Sequence, residues 1–511
     1  MRNTIPGQSF KQVLRRVART AVLAFAASSA AIAAAHAAEI KMVMPGNFAS
    51  IDPHPATAVA LNLSLASHIY DSLIVMDRDS KLSPGLATSW KPIDDHTWRF
   101  ELRPNVRFPN GELVTPEVIR WNLERMRAPE TRAINAVRYS LIKEIKEVGP
   151  NTFDIITEKP FPALPAQLTM FYIMSPTWAK THDPAYQAEG TGPYKMVEYK
   201  AGDRIVLKAK DDYWGKKPPF EDVTFRIIPE PASRISALLA GEVDVITIIP
   251  TEEVDRINKS GRATAGSFPS NRSIIIKFDS LKAPFKDNNK LRQAINYAVD
   301  KDAIREAVWG GQGATSNCQI LNSLYFGYNE DLKPYPYDPA KAKKLLSEAG
   351  YPNGLTINFE VPRGRFLGAE DISQAVAAQL GEIGIKVNII EMEFSSYFSK
   401  LQAGGMANLG YMGTAWPTLD ADGALTALLP GFPDAYYEND EFVALMDQAR
   451  VEMDVEKRKD LYKKATASMC ENPPVLFMYD QPTTYAVSNR VKGKARPDDW
   501  MRAWEYEPAK P

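Results

Sequence analysis

The apolar positions of this chain change period repeatedly, from short strand-like runs to helical stripes and back. Val223 to Ile228 predicts a strand, Pro231 suits the first turn of a helix, and Ile235, Leu238 and Leu239 fall on one helical face. Gly241 fits the helix stop and Val243 to Ile249 returns as a strand, which completes a βαβ unit. The alternation recurs downstream, with Leu355 to Val361 as a strand, Ala369 to Ile383 as an amphipathic helix closed by Gly384, and Ile385 to Ile390 as the returning strand. Just before it, Asp338-Pro339 predicts a helix start, with Ala342, Leu345, Leu346 and Ala349 facing inward and Gly350 ending the helix. Strands alternating with helices in this way predict parallel sheets with helical crossovers.

Nearer the N-terminus the pattern differs. Trp98, Phe100 and Leu102 alternate within TWRFELRP, Asn110-Gly111 marks a tight turn, and Thr115-Pro116 opens a helix with Ile119, Leu123 and Met126 on one side. This stretch predicts a smaller α+β insertion. No repeat of fixed period is present, and proline clusters such as KKPPF and KPYPYDP mark connections. At 511 residues the chain exceeds what one hydrophobic core usually organises, so two or three lobes are expected.

Composition and charge narrow the function classes. Arg2, Lys11, Arg15, Arg16 and Arg19 precede an apolar run from Ala21 to Ala35, followed by the small-residue site Ala35-His36-Ala37. Residues 1–37 therefore read as a secretory signal peptide. The run is short of the about 20 apolar residues a spanning helix needs, so no membrane insertion of the mature chain is expected. Loss of this leader removes five basic and no acidic residues and moves the formal net charge from -1 to -6, which speaks against a nucleic-acid partner. Cys318 and Cys470 are the only cysteines; an oxidising exported setting favours a disulfide between them, with two unpaired buried thiols as the alternative. GxSxG, HExxH, Walker A and CxxC patterns are absent, and Ser140 to Lys143 matches SxxK without its usual companions. His54, His68, His96 and His182 have no spacing that suggests a shared metal. Neither enzymatic activity nor a metal or cofactor is expected.

Seven segments then occur in a telling order. They are IDPHPATA (51–58), YDSLIVMDRDSKLSPGLATSW (70–90), WRFELRPNVRFPNGELVTPEVI (98–119), GTGPYKMVEYKAGDRIVLKAKDDYWG (190–215), VTFRIIPEPASRISALLAGEVDVITII (223–249), LRQAINYAVDKDAI (291–304) and YDPAKAKKLLSEAGYPNG (337–354). Together they resemble the extracytoplasmic solute-binding proteins of family 5, which serve peptide-type and nickel-type ABC importers. The resemblance implies an α/β, two-lobed periplasmic-binding-protein fold, type II-like, with an extra small α+β domain. By that analogy lobe I is residues 38–70, 190–272 and 476–511, the inserted domain 71–189, and lobe II 273–475. It further implies a monomeric periplasmic protein that captures a di- or oligopeptide or related amino-acid conjugate without altering it. Delivery would be to inner-membrane permease subunits coupled to cytoplasmic ATPases. Nickel chelates, glutathione, opines and sugar phosphates are the alternative ligands within the family. A periplasmic hydrolase and a chaperone-like binder of extended polypeptide are the readings from other classes.

The resemblance also places candidate ligand residues. Arg365 aligns with an arginine that pairs with the ligand carboxylate in dipeptide binders, a role suited to a planar guanidinium, the alternative being a solvated loop arginine. GTAWPTLDADGAL puts Asp420 and Asp422 after Trp416 where peptide binders hold an amine-receiving acid, but Leu419 occupies a position where an Asp is expected. Those two aspartates read equally as helix caps in a turn. Trp416 would stack on ligand or fill the lobe, with Tyr411 and Met412 leading into it on a strand edge. Gly190 and Thr191 at the lobe crossing, Asn47 and Ala49 before the IDP motif, and Arg138 in the insertion complete the set.

Overall fold

The computed structural model describes residues 39–48, 50–55, 60–363 and 365–509. The predicted leader and Ala49 lie outside the described residues.

An eleven-stranded mixed sheet organises most of the chain. From one edge its main path runs Ile385–Glu393, Leu355–Arg363, Leu409–Thr414, Ala263–Phe278, Val475–Ser488, Val245–Thr247, Glu39–Met44, Asp222–Ile227, Arg204–Ala209 and Tyr194–Lys200, with the short strand Ala314–Thr315 set beside Val475–Ser488. Two of these strands matter most. Ala263–Phe278 has 16 residues, and at about 3.3 Å of rise per residue it extends roughly 50 Å, enough to belong to two cores in succession. Its antiparallel partner Val475–Ser488 does the same.

Their pairing breaks midway. Ala263 to Pro269 pairs with Ser488 to Pro482, and the ladder resumes only at Ser273 with Asp480. The backbone groups released at the break find other partners: Ser270 Oγ donates to Gln481 O at 2.7 Å, and Asn271 N donates to Pro497 O at 3.0 Å. On one side of the break Ala265, Tyr485 and Val487 join cores that include Met42, Met44 and Phe225. On the other side Ile274, Ile276, Leu476 and Tyr479 join a core with Phe359, Val376 and Tyr411. A further core on the opposite sheet face gathers Ile275, Phe477 and Tyr462.

The predicted helix signals hold. Asp338 Oδ1 accepts from Lys341 N at 2.9 Å and starts the helix Pro339–Glu348, while Thr115 Oγ1 accepts from Val118 N at the start of Pro116–Arg127. In the first of these only Ala342 and Leu346 are buried; Leu345 and Ala349 lie at the rim. Leu355–Arg363 and Ile385–Glu393 pair in parallel with the helix Ala369–Glu382 between them, as the pattern predicts.

The first βαβ unit is different from its prediction. Asp222–Ile227 and Val245–Thr247 do not pair with each other, because Glu39–Met44 lies between them in parallel with both. The returning strand is also shorter than 243–249, since Ile248 takes φ 54° and its amide bonds Thr484 O at 2.9 Å instead of extending the ladder.

A separate four-stranded antiparallel sheet, in the order Ala87–Asp94, Thr97–Leu102, Thr152–Thr157 and Ile142–Gly149, packs with Pro116–Arg127 around Phe100, Phe153 and Ile119. Trp98, Phe100 and Leu102 face that core, as their alternation predicts. Arg125 of the helix ties it to the IDPHP segment, with Nη1 on His54 Nδ1 at 2.8 Å and both Nη1 and Nη2 on the Asp52 carboxylate. Burial, together with the Arg125 charge, lowers His54 to about 4, so this clamp uses a neutral imidazole. Cys318 and Cys470 form a disulfide with Cα atoms 5.3 Å apart.

Candidate functional site

The broken segment of the two long strands is where the polar candidates gather. Arg272 lies in the break on Ala263–Phe278, and its Nη2 meets Asp499 Oδ2 at 3.4 Å while Nη1 approaches Gly413 O at 3.4 Å. Asp499 also accepts from Thr483 Oγ1 at 2.9 Å, so one carboxylate joins the C-terminal segment to both strands. Gly413 has to be small: a Cβ there would come within 2.6 Å of Phe366 Cε1 and 3.0 Å of Arg272 Cδ.

Arg365 precedes Phe366 in the loop between Leu355–Arg363 and the next helix. Its guanidinium sits 5.1 Å from the Phe366 ring centroid and 5.3 Å from that of Phe394. Burial first, and the Arg272 charge second, lower its pKa to about 10 against the opposing pull of the Asp499 charge. Among the described residues no carboxylate forms an ion pair with it. A guanidinium held in an aromatic setting beside a second guanidinium lacks the counter-charge that burial demands.

Tyr411 and Met412 come from the strand Leu409–Thr414 that ends at this place. Tyr411 is fully buried against Phe366, with ring centroids 5.7 Å apart, and its carbonyl accepts from Tyr397 Oη at 2.9 Å. It backs the Arg365 loop from within the core. Met412 is half-buried where three cores meet.

Trp416 forms the second focus. Its backbone N donates to Tyr325 Oη at 2.7 Å, and Tyr325 donates in turn to Asn271 O at 3.0 Å, which ties the tryptophan loop to the strand break. The indole packs directly against Gly423, where any Cβ would overlap Trp416 Cδ1. It packs on cores from both sides of the break, and its Nε1 has no hydrogen-bond partner among the described residues. Arg138, on the short 3-10 helix Ile134–Tyr139, stacks over the ring with its Cζ 3.4 Å from the centroid. Burial lowers Arg138 to about 10, partly offset by the Asp422 charge.

The two aspartates after Trp416 are already engaged. Asp420 is buried and caps the helix Ala421–Leu425 by accepting from Asp422 N at 2.9 Å. It is also held by Arg458, Nη1 to Oδ2 at 2.8 Å and Nη2 to Oδ1 at 2.6 Å. Asp422 accepts from Arg450 Nε at 3.0 Å and Thr426 Oγ1 at 3.3 Å.

Three other candidates sit elsewhere. Gly190 packs on Ile69 and Tyr70, which leave no room for a side chain, and the buried Thr191 lies in the same turn near Asp71. Asp71 is held by Trp214 Nε1 at 2.8 Å. Asn47 is exposed near the Gly202 turn. The structure thus brings together Arg365, Tyr411, Met412, Trp416, Arg138, Asp420 and Asp422 around one strand end. It adds Arg272, Asp499, Tyr325, Phe366, Arg450 and Arg458, which no local motif marks. A groove of about 610 Å³ lined by Asp52, Trp121, Arg125 and Lys180 lies away from this cluster, and its arginine is taken by Asp52 and His54.

Among the described residues no group of three or more His, Cys, Asp or Glu could hold a metal ion, and no helix is long and apolar enough to cross a membrane. The chain is 28% identical over 463 residues to the glutathione-binding protein GsiB of Pectobacterium atrosepticum, covering 87% of this chain and 89% of the relative. It is 30% identical to heme-binding protein A of Haemophilus influenzae, over 84% of each chain. Its fold superposes with a TM-score of 0.82 on the periplasmic binding protein DppA of Helicobacter pylori in complex with the peptide STSA, at 24% identity, covering 92% of this chain and 98% of that one. Residues 81–436 match the middle region of the bacterial extracellular solute-binding proteins of family 5, and the chain belongs to that family.

Proposed function

We propose that this protein captures a short peptide or a related amino-acid conjugate between its two lobes and releases it unchanged to an ABC permease. Exported residence in the periplasm and action as a monomer belong to the same reading. In it, residues 38–70, 190–272 and 476–511 form one lobe, 273–475 the other, and 71–189 the inserted domain. The two long strands are the crossings, and the break at Ser270–Arg272 is the hinge. Closure must draw on contacts made to both lobes, since a solute indifferent to open and closed forms shifts nothing.

The observation that carries this reading is Arg365. It stands at the strand break, in an aromatic setting, with Arg272 beside it and no carboxylate of its own among the described residues. A ligand carboxylate supplies the missing charge in the planar, two-point manner a guanidinium accepts. The relatives named for glutathione and the neighbour bound to STSA, both peptides, support the choice of ligand class.

Titration calorimetry with Ala-Ala and longer alanine peptides tests it. Binding is expected, and Arg365→Ala should weaken it by about 2 kcal/mol or more, the range for truncating one member of a desolvated charge pair. Unchanged affinity in that variant removes Arg365 from the site.

A further inference from the structure

We infer that the cleft is built for a solute with two acidic groups and no charged amine, one acid held by Arg365 with Arg272 and the other by Arg138. This rests on the capture reading above and specifies its ligand.

The cations come first. Neither Arg365 nor Arg138 forms an ion pair among the described residues, and each is held against aromatic rings, Phe366 and Phe394 for one and Trp416 for the other. Gly413, whose carbonyl is approached by Arg272, and Trp416, which lies beneath Arg138, are three residues apart. Both cationic places therefore border one stretch of backbone no longer than about 10 Å.

The carboxylates point the same way. At the Trp416 loop an incoming ammonium would need an aspartate with free acceptor positions, yet Asp420 is gripped by Arg458 and by its own helix, and Asp422 by Arg450 and Thr426. With Arg138, Arg450 and Arg458 around these acids, a further positive charge would meet repulsion. The uncharged groups complete the argument. Asn271 Oδ1 and Gln481 Oε1, both buried at the strand break, have no hydrogen-bond partner among the described residues. Buried carbonyl acceptors of this kind suit amide N–H donors of a ligand. Asp480 is the carboxyl of these strands that no cation pairs among the described residues; it accepts from Ser273 Oγ at 3.1 Å and is therefore the residue that would receive an amine if the inference is wrong.

Calorimetry of the purified protein with four compounds on one scaffold tests this: Ala-Ala, N-acetyl-Ala-Ala, N-succinyl-Ala-Ala and Ala-Ala amide. Acetylation should change affinity by less than about threefold and amidation should cost about tenfold or more. The succinyl compound, with its second carboxylate, should bind about tenfold tighter than the acetyl one. Arg138→Met should erase the succinyl advantage while leaving the acetyl compound unchanged, a pattern that loss of fold would not produce. If Ala-Ala binds well, acetylation abolishes binding and succinylation restores nothing, the two-acid inference is overturned while peptide capture stands; loss of Ala-Ala binding in Asp480→Asn would then identify the amine's partner. Binding of glutarate with no Ala-Ala compound bound keeps the pair of cationic subsites and overturns peptide capture. No binding of any compound overturns both.

Discussion

Asp480 offers a direct measurement of what the strand break costs the native state. Burial raises its pKa from 3.8 to about 7, and the hydrogen bond from Ser273 offsets only part of that rise. In the unfolded chain the carboxyl ionises near pH 4, so above that pH the unfolded state releases a proton that the native state keeps. Stability from this group is therefore highest in acid and falls as pH rises, until the native carboxyl has also ionised above about pH 7. Between pH 5 and pH 8 the aspartate should cost the fold about 2.5 kcal/mol, or about 1.5 kcal/mol if the native value is one unit lower. Asp480→Asn keeps an acceptor for Ser273 and does not titrate. Chemical denaturation of both proteins at pH 5, 7 and 8 isolates the effect, because every other titrating group cancels in the difference. The variant should gain on the parent by that amount across the range. Parallel pH profiles, agreeing within about 0.5 kcal/mol, would refute the assignment of a half-buried carboxyl without a cationic partner among the described residues at this position.

Arg458→Met should destabilise by about 3 to 5 kcal/mol, since it leaves Asp420 buried without its cation, and adding Asp420→Asn should recover most of the loss in thermal denaturation. Gly423→Ala should push the indole of Trp416 off its seat, costing about 1 to 3 kcal/mol of stability, changing tryptophan fluorescence and weakening solute binding. Replacing Cys318 and Cys470 by serine opens a loop of 152 residues, for which chain entropy gives a loss of up to about 5 kcal/mol, read as a lower midpoint of chemical denaturation.

Much of the local architecture is legible because its causes are local. Thr115 and Asp338 cap helices through hydrogen bonds that span three residues, and Trp98, Phe100 and Leu102 need only the strand period to face one core. Strand order is another matter. Glu39–Met44 lies between Asp222–Ile227 and Val245–Thr247, and nothing near residue 40 announces partners about 180 and about 200 positions away. The site follows the same division. Arg272 and Asp499 meet across 227 residues and Tyr325 reaches Trp416 across 91, so neither pairing leaves a spacing to read. Arg365 itself is distinguished from other loop arginines only by the family resemblance around it.

The aspartates of WPTLDAD show why residue type and order underdetermine a binding site. A carboxylate in that loop could receive a ligand amine or cap a helix, and the sequence admits both. The structure separates them by counting acceptor positions. A carboxylate offers about four, and on Asp420 three are taken, two by Arg458 and one by the amide of Asp422. Reaching the fourth would mean bringing an ammonium against a guanidinium that already neutralises the group, with no compensating gain in charge. Arg458 lies 38 residues further on and carries no motif, yet its position decides what Asp420 can do. The chemistry of this cluster is set by such distant cancellations, which leave Arg365 and Arg138 as its arginines without an ion-pair partner among the described residues.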